Sequence, residues 1–484
     1  MKHNKQSQSL TKAFSWKFAE RVGYQFFSLL IQIVLARILS PHDFGVLGIM
    51  IVFTALAQVF VQTGLPTALI QRKDITNADF STIFYINLGL MCILYVVLFA
   101  AAPFIESFYG YEGLAWPFRV LCLQLFPCAA LSVQTAIETR ALRFKSIFIS
   151  SFLGMLFSGA VSVLLALHGF GIWALVIQQL VYQSVSFFIL LFIQRWTPKL
   201  VFSLTRAKVL FAYGWKLLAS SLLESLYADV RSLIIGKKFS AAELGYYDKG
   251  VKFPQTVTNA INGTLQSVML PVLSQKQDDK HQIKGILSHS INIATFIVAP
   301  MMFGLLVVAK PVVVLLLTEK WLSSVLYLQL SCPTYILFVI HTLHMQATNA
   351  IARTDMTLKI QIVRKILLLA FLIGAVLIWK SVASMIWASL AALIIGFVID
   401  AIVAKRYFDY PYLEQIKDTV LPIGASALMA GAISLFTLLS LHLLLLLVIQ
   451  VLAGTILYVL IAKLMKLDAL NFLLGSLKKR IKKS

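Results

Sequence analysis

Apolar runs of about twenty residues, parted by short polar interruptions, recur along the chain from one end to the other, and about twenty helical residues is the length that crosses a hydrocarbon core. The pattern predicts helices over 14–39, 44–65, 80–103, 114–137, 146–167 and 170–194. A basic, aromatic, proline-containing stretch from Arg195 to Lys208 then interrupts it and is too polar to span. Six more helices are predicted over 208–236, 244–271, 287–309, 322–351, 359–379 and 382–404, and a final pair over 418–440 and 443–462. The expected fold is an all-α polytopic membrane protein of two pseudo-symmetric six-helix bundles plus a C-terminal hairpin, about 14 transmembrane helices in all. Its parts are an N-lobe (1–194), a cytoplasmic interfacial linker (195–207), a C-lobe (208–404), an extra hairpin (405–462) and a basic amphipathic cytoplasmic tail (463–484). In that tail Leu470, Leu473, Leu474, Leu477 and Ile481 share a helical face beside Lys478, Lys479 and Arg480, a pattern suited to anionic headgroups.

The two lobes are joined by a repeat. Leu35-Ala36-Arg37-Ile38-Leu39-Ser40-Pro41-His42-Asp43-Phe44-Gly45 returns, degraded, as Ile235-Gly236-Lys237-Lys238-Phe239-Ser240-Ala241-Ala242-Glu243-Leu244-Gly245. In each copy a helix pattern stops, Ser stands at the N-cap position, an acid follows three residues later and a new apolar pattern begins. Ser40 and Ser240 should accept from orphan amides of the new first turn, with Asp43 and Glu243 bonding back. Pro41 fits the first helical position, which needs no amide proton. Gly45 leaves room for close helix packing, and Gly245 stands at the matching position of the second copy.

With 59% hydrophobic and 13% charged residues, a soluble protein is excluded, so the placement of the net charge of +22 matters more than its size. With the N-terminus placed in the cytoplasm, thirty-one of the 42 Lys and Arg fall in cytoplasmic segments. This agrees with the positive-inside rule, sets both termini in the cytoplasm and gives no support to nucleic acid as a partner. Met1 to Thr11 is polar and basic without the small-residue cleavage site of a signal peptide, and the external loops are short.

Polar residues inside the spans carry the candidate chemistry. On the seventh span Lys216, Ser220, Glu224, Tyr227 and Arg231 share a narrow arc, with Asp229 roughly opposite. On the eighth, Asp248, Lys252, Gln255, Asn259, Asn262 and Gln266 form a stripe, with Val257 and Ile261 on other faces. The first lobe repeats this weakly: Gln25 and Gln32 on the first span, Gln58 and Gln62 on the second. Charge at membrane depth is costly and is expected to face protein or water. These residues therefore read either as structural pairs, such as Glu224 with Arg231, or as the lining of an aqueous cavity between the lobes.

His341 and His344 lie one turn apart in the tenth span, with no carboxylate nearby in sequence. They fit interhelical hydrogen bonding, a proton relay or half of a metal site. The four cysteines sit in apolar spans without ligand spacing, so no metal or other cofactor is expected. No phosphate-binding glycine loop or nucleophile elbow occurs, so neither ATP-driven transport nor hydrolysis has its usual signature.

The run from Leu35 to Gly48, together with Gly64-Leu65-Pro66-Thr67-Ala68-Leu69-Ile70-Gln71-Arg72, resembles the first external turn and second-helix end of bacterial oligosaccharide flippases. These belong to the multidrug/oligosaccharidyl-lipid/polysaccharide exporter superfamily, and the similarity extends over about residues 14 to 405, most like exporters of capsule, exopolysaccharide or teichuronic-type units. The resemblance implies alternating access in the cytoplasmic membrane and a polyprenyl-pyrophosphate-linked glycan as substrate. Membrane lipids and a polysaccharide polymerase or assembly protein are the implied partners. It transfers no binding residues, because the shared motifs are turns. A multidrug exporter of the same fold remains open through Glu224, Asp229 and Asp400. A membrane glycosyltransferase or polymerase is the third reading, and the short outer loops count against it.

Overall fold

In the computed structural model, residues 23–72, 74–277, 279–351, 354–439 and 441–472 are described. The N-terminal tail, the first turns of span 14–39 and most of the basic tail from 463 on lie outside them. Among the described residues all regular structure is helical. The chain runs through α1 (Gly23–Ile38), α2 (Pro41–Gln62), α3 (Leu65–Gln71), α4 (Asn77–Tyr109), α5 (Ala115–Cys122), α6 (Leu125–Arg140), α7 (Phe144–Leu167) and α8 (Ile172–Gln194). It continues through α9 (Leu204–Lys238), α10 (Ala241–Ser274), α11 (Lys280–Val307), α12 (Ala309–Leu317), α13 (Ser323–Ala350), α14 (Thr354–Ile378), α15 (Val382–Phe408), α16 (Tyr412–Ser434) and α17 (Leu443–Leu464). Eleven helical segments among the described residues are long and apolar enough to cross a membrane. The three other predicted positions hold α1, short within the described residues, and α9 and α10, which are 35 and 34 residues long but carry charge along their length.

Several helix bounds differ from the expected spans, α11 starting at Lys280 and α16 running Tyr412–Ser434 among them, and two of the differences have identifiable reasons. The fourth span is divided between α5 and α6, because Pro127 in the first turn of α6 has no amide proton and its ring crowds the carbonyl four residues back. The linker is shorter than 195–207: Ser203 caps α9, its Oγ accepting from the Arg206 amide at 3.4 Å, so Leu204 to Ala207 are helical. Residues Lys199 and Ser203 donate their amides to Ser81 Oγ and Thr82 Oγ1 at 3.0 and 3.3 Å, fastening the remaining linker to α4.

The chain divides into two compact units, Met1–Gly245 and Tyr246–Ser484. In the first, the two copies of the repeated turn meet. Ser40 Oγ accepts from the Asp43 amide at 3.2 Å while the Asp43 carboxylate accepts from the Ser40 amide at 3.1 Å, a complete capping box. Ser240 Oγ accepts from the Glu243 amide at 3.1 Å in the same way. A Cβ added to Gly45 would collide with the carbonyl oxygen of Ala241, and one added to Gly245 with that of Pro41. The contact is reciprocal, first helical residue against fifth in both directions, as in a two-fold interface. Glycine is required here by proximity, since both residues are helical.

Helix α9 packs along α2, α3 and α4 within this unit. Arg206 pairs with the buried Asp79 at 3.1 Å near one end of α9. Farther along, Gly214 meets the backbone of Gly64. Near the other end the Tyr111 hydroxyl donates to the Gly236 carbonyl at 3.0 Å. The repeat marks a duplication boundary at 195–207, whereas packing divides the chain inside α10.

In the second unit α11 lies against α13 and α16, and the C-terminal hairpin closes over it. Phe296, Met429, Ile433 and Tyr458 form the apolar contact, and the buried Tyr458 hydroxyl donates to the Phe296 carbonyl at 2.8 Å. Near the first turns of α11 and α16, Asp418 accepts from Ser288 and Tyr410, both at 2.5 Å, and Lys284 pairs with Glu414 at 2.7 Å. Burial, with the Asp418 carboxylate adding to it, pushes the Tyr410 phenol well up, so it remains a donor.

The reciprocal turn should respond to substitution by size. Gly45→Ala forces a Cβ onto backbone and is expected to cost about 1–3 kcal/mol, lowering the melting temperature of the detergent-solubilised chain and its amount in the membrane. Ser40→Ala should cost about 1 kcal/mol. Gly89→Ala, where a Cβ meets nothing within 4 Å, serves as the silent control.

Candidate functional site

Residues of the α9 arc expose their heads or are half-buried. Lys216, Ser220 and Glu224 are exposed, and Tyr227 and Arg231 are half-buried. The expected pair between Glu224 and Arg231 is not made: neither residue has an ion-pair partner among the described residues, and the buried Arg231 Nε has no hydrogen-bond acceptor. An unpaired guanidinium nitrogen in an apolar protein is expensive, and it points to an acceptor, water or ligand, that the chain itself does not supply. Asp229, on another face, accepts a 3.5 Å bond from Ser225 one turn away.

The α10 stripe lies in the second unit. Lys252, Asn259 and Gln266 are exposed, Gln255 is half-buried and Asn262 is buried at 3% exposure. Neither amide atom of Asn262 has a partner. Two features make α10 deformable beside this stripe. Pro254 stands inside the helix and removes one ladder hydrogen bond. Thr258 returns its hydroxyl to the Pro254 carbonyl at 2.8 Å, a back-bond that further bends a helix. Val257 and Ile261, which the periodicity puts on other faces, are half-buried.

In the first unit the predicted glutamines divide. Gln25 is exposed, and Gln32 and Gln58 are half-buried. Gln62 donates to Cys128 Sγ at 3.2 Å and lines a pocket of about 300 Å³ with Thr67, Ser132, Thr135 and Gln183. Asn87 donates to Ser132 Oγ at 3.1 Å behind it. Of this group the sequence reading found Gln62 alone, because the others are single polar positions in otherwise apolar helices and only folding brings them together.

The largest omission is in the second unit. Asp400 on α15, only 3% exposed, takes Arg364 Nη2 at 2.6 Å and His341 Nδ1 at 2.9 Å on one carboxylate oxygen. The carboxylate that His341 lacks in sequence is therefore supplied from 59 positions away. Arg364 also corrects the charge count: placed there among the cytoplasmic cations, it is 10% exposed inside α14. Its guanidinium fills the space that Gly396 leaves open, 2.8 Å from where a Cβ would stand. The available signal was the bare presence of an Asp within an apolar span.

Comparison with known proteins bears on what such an arrangement serves. Residues 34–326 match the profile of a family described as polysaccharide biosynthesis protein. The succinoglycan biosynthesis transport protein ExoT of Rhizobium meliloti is 24% identical over 65% of this chain, and the match spans 64% of its own length. The lipopolysaccharide biosynthesis protein WzxC of Escherichia coli is 25% identical over 75% of this chain and 74% of its own. The teichuronic acid biosynthesis protein TuaB of Bacillus subtilis is 27% identical over 56% of this chain and 57% of its own. Among solved structures, the lipid II flippase MurJ in an inward closed conformation superposes with a TM-score of 0.74 at 14% identity, over 93% of this chain and 98% of that one. A multidrug resistance MATE family transporter of the MOP superfamily, in an inward-facing conformation, gives 0.60 at 17% identity, over 79% and 95%. At these identities the structural likeness establishes the fold.

Stability offers a first check on the α10 stripe. Asn262→Leu removes two buried polar atoms without partners, so it should leave the melting temperature unchanged or raise it. A loss of several degrees would mean that the amide holds the helix in place.

Proposed function

Since the chain belongs to the polysaccharide biosynthesis protein family, we propose that it is a transporter that turns a polyprenyl-pyrophosphate-linked oligosaccharide repeat unit from the inner to the outer leaflet of the bacterial cytoplasmic membrane. The observation that carries this reading is the set of buried polar groups on α9 and α10 left without partners, Arg231 Nε and both amide atoms of Asn262. A pyrophosphate and a hydroxyl-rich glycan cannot enter hydrocarbon unaided, because each unpaired charge moved there costs many kcal/mol. Lys216, Arg231 and Lys252 supply cations for the pyrophosphate, and Gln255, Asn259, Asn262 and Gln266 supply amides that both donate to and accept from sugar hydroxyls. The prenyl tail stays in lipid. Alternating access, which the family resemblance implies, would present the substrate to each leaflet in turn, and Pro254 lets α10 bend. Lys216, Arg231 and Lys252 favour an anionic lipid-linked substrate over a cationic drug, and the chain performs no covalent step in this scheme. A polymerase or assembly protein is the natural recipient of the product.

Transport should separate charge from hydrogen bonding. Arg231→Gln or Lys252→Gln removes a charge-assisted bond worth about 1.5–3 kcal/mol, enough to weaken binding about tenfold or more. Asn259→Leu should weaken glycan contacts and leave pyrophosphate recognition intact, and Val257→Leu and Ile261→Leu should be nearly silent. The measurement is accumulation of lipid-linked repeat units on the inner leaflet, corrected for protein amount. If the two apolar changes abolish export while the three polar ones leave it intact, the stripe is structural.

The same reading places both termini in the cytoplasm. Cysteines introduced at Ser107 and Glu319 should react with an impermeant thiol reagent applied to intact cells, and those at Asn77 and Asp279 should be protected. Labelling at Asn77 would reverse the orientation.

A further inference from the structure

The Asp400 cluster takes no part in the substrate site proposed above, and its chemistry is of another kind. Three helices each contribute one ionisable group: α13 brings His341, α14 brings Arg364 and α15 brings Asp400, joined through one carboxylate oxygen at 2.6 and 2.9 Å. Arginine stays charged in proteins, and with Asp400 as a carboxylate the Arg364–Asp400 pair is neutral. A carboxylate only accepts, so His341 Nδ1 is the donor, and the other ring nitrogen, Nε2, is left to gain or lose a proton. The His341 side chain is 19% exposed against 3% for Asp400 and 10% for Arg364, so the histidine is the most accessible member of the cluster.

Other titratable groups stand on the cluster's own helices, Lys359 and Lys365 on α14 and Lys405 and Arg406 on α15, and on the helices packed against them. His344, one turn from His341 and 3% exposed, has its Nδ1 3.0 Å from the Ile340 carbonyl, which makes that nitrogen a donor and leaves Nε2 buried without a partner. The charged groups it senses are Asp400, His341 and Arg364. The helices α11 and α16, which also pack on α15, carry Lys284, Glu414 and Asp418 near their first turns. Lys284 and Glu414 pair with each other, and Asp418 is taken up by Ser288 and Tyr410.

We infer that the His341–Asp400–Arg364 cluster is a proton-binding site of the second unit, in which one proton on His341 Nε2 changes the charge of the cluster from zero to plus one. The proton comes from water at the exposed edge of the imidazole and forms an N–H bond there, and it leaves by the same edge. Imidazolium binds the Asp400 carboxylate more tightly than imidazole does, so protonation draws α13 toward α15, and deprotonation leaves Asp400 to Arg364 on α14. The chain carries no nucleotide-binding loop, and a proton taken up and released during the transport cycle would supply a driving force. That last step rests on the transport reading; the protonation does not.

The test therefore has two arms. In the first, acid-minus-neutral infrared difference spectra are recorded on the full chain in lipid nanodiscs across about pH 5 to 8, where histidine changes charge. The double difference between wild type and His341→Gln should contain an imidazolium signal of one residue with matching loss of neutral imidazole. Such a signal should persist in a background where Arg364→Gln and Asp400→Asn are combined to keep the core neutral, but reduced severalfold at a given pH. A double difference with no imidazolium component makes the cluster a static ion pair and ends the proposal, provided that His341→Gln melts as wild type does. In the second arm, inner-leaflet accumulation of lipid-linked repeat units is followed in cells treated with nigericin, which collapses the pH gradient. Wild type should slow severalfold, and His341→Gln, slow from the start, should lose the nigericin response. An equal response in both removes the coupling. If the spectra show the proton but no lipid-linked glycan moves in any variant, the site stands and the transport reading falls.

Discussion

Hydrocarbon offers no hydrogen bonds, and that single property of the solvent governs where every polar group in this chain can stand. Backbone groups are satisfied by helices. Where helices start beyond the reach of their own ladder, side chains finish the work, as Ser40 and Asp43 do for each other's amides and Ser203 does for α9. Where helices must approach closely, side chains are removed, as at Gly45 against Ala241 and Gly245 against Pro41. The repeated turn combines both devices, which explains why the same short pattern was kept in two places.

Under the same constraint, side-chain polarity divides into two populations. Some groups are engaged across helices: Asp79 with Arg206 through one carboxylate oxygen, Asp418 with Ser288 and Tyr410, Asp400 with Arg364 and His341. These fasten helices to one another. Others are left open, among them Arg231 Nε and the Asn262 amide, and in a membrane protein an open group is tolerated where something else is expected to meet it. The transport proposal rests on the open groups and the proton site on one engaged group that can change its charge. The C-terminal hairpin belongs to the first population, since its Tyr458, Glu414 and Asp418 all bind back to α11.

Much of this was legible in the sequence because it depends on local periodicity. Span lengths, the two capping turns and the polar stripe of α10 are one-dimensional patterns with a helical period, and the family resemblance rested on the turn itself. Helix ends were readable less well, since Pro127 divides a continuous apolar run and Ser203 starts α9 inside a segment that looks like linker. What only the tertiary structure decided was partnership. No period in the chain relates His341 to Asp400 or Arg364 to Gly396, and nothing in the α9 sequence says that Glu224 and Arg231, two turns apart on one face, leave each other unpaired. An amphipathic pattern reports how many polar groups a helix holds and on which side. Whether each is bonded, free or able to bind a proton depends on groups brought from other helices within about 3 Å, and that distance is set by packing alone.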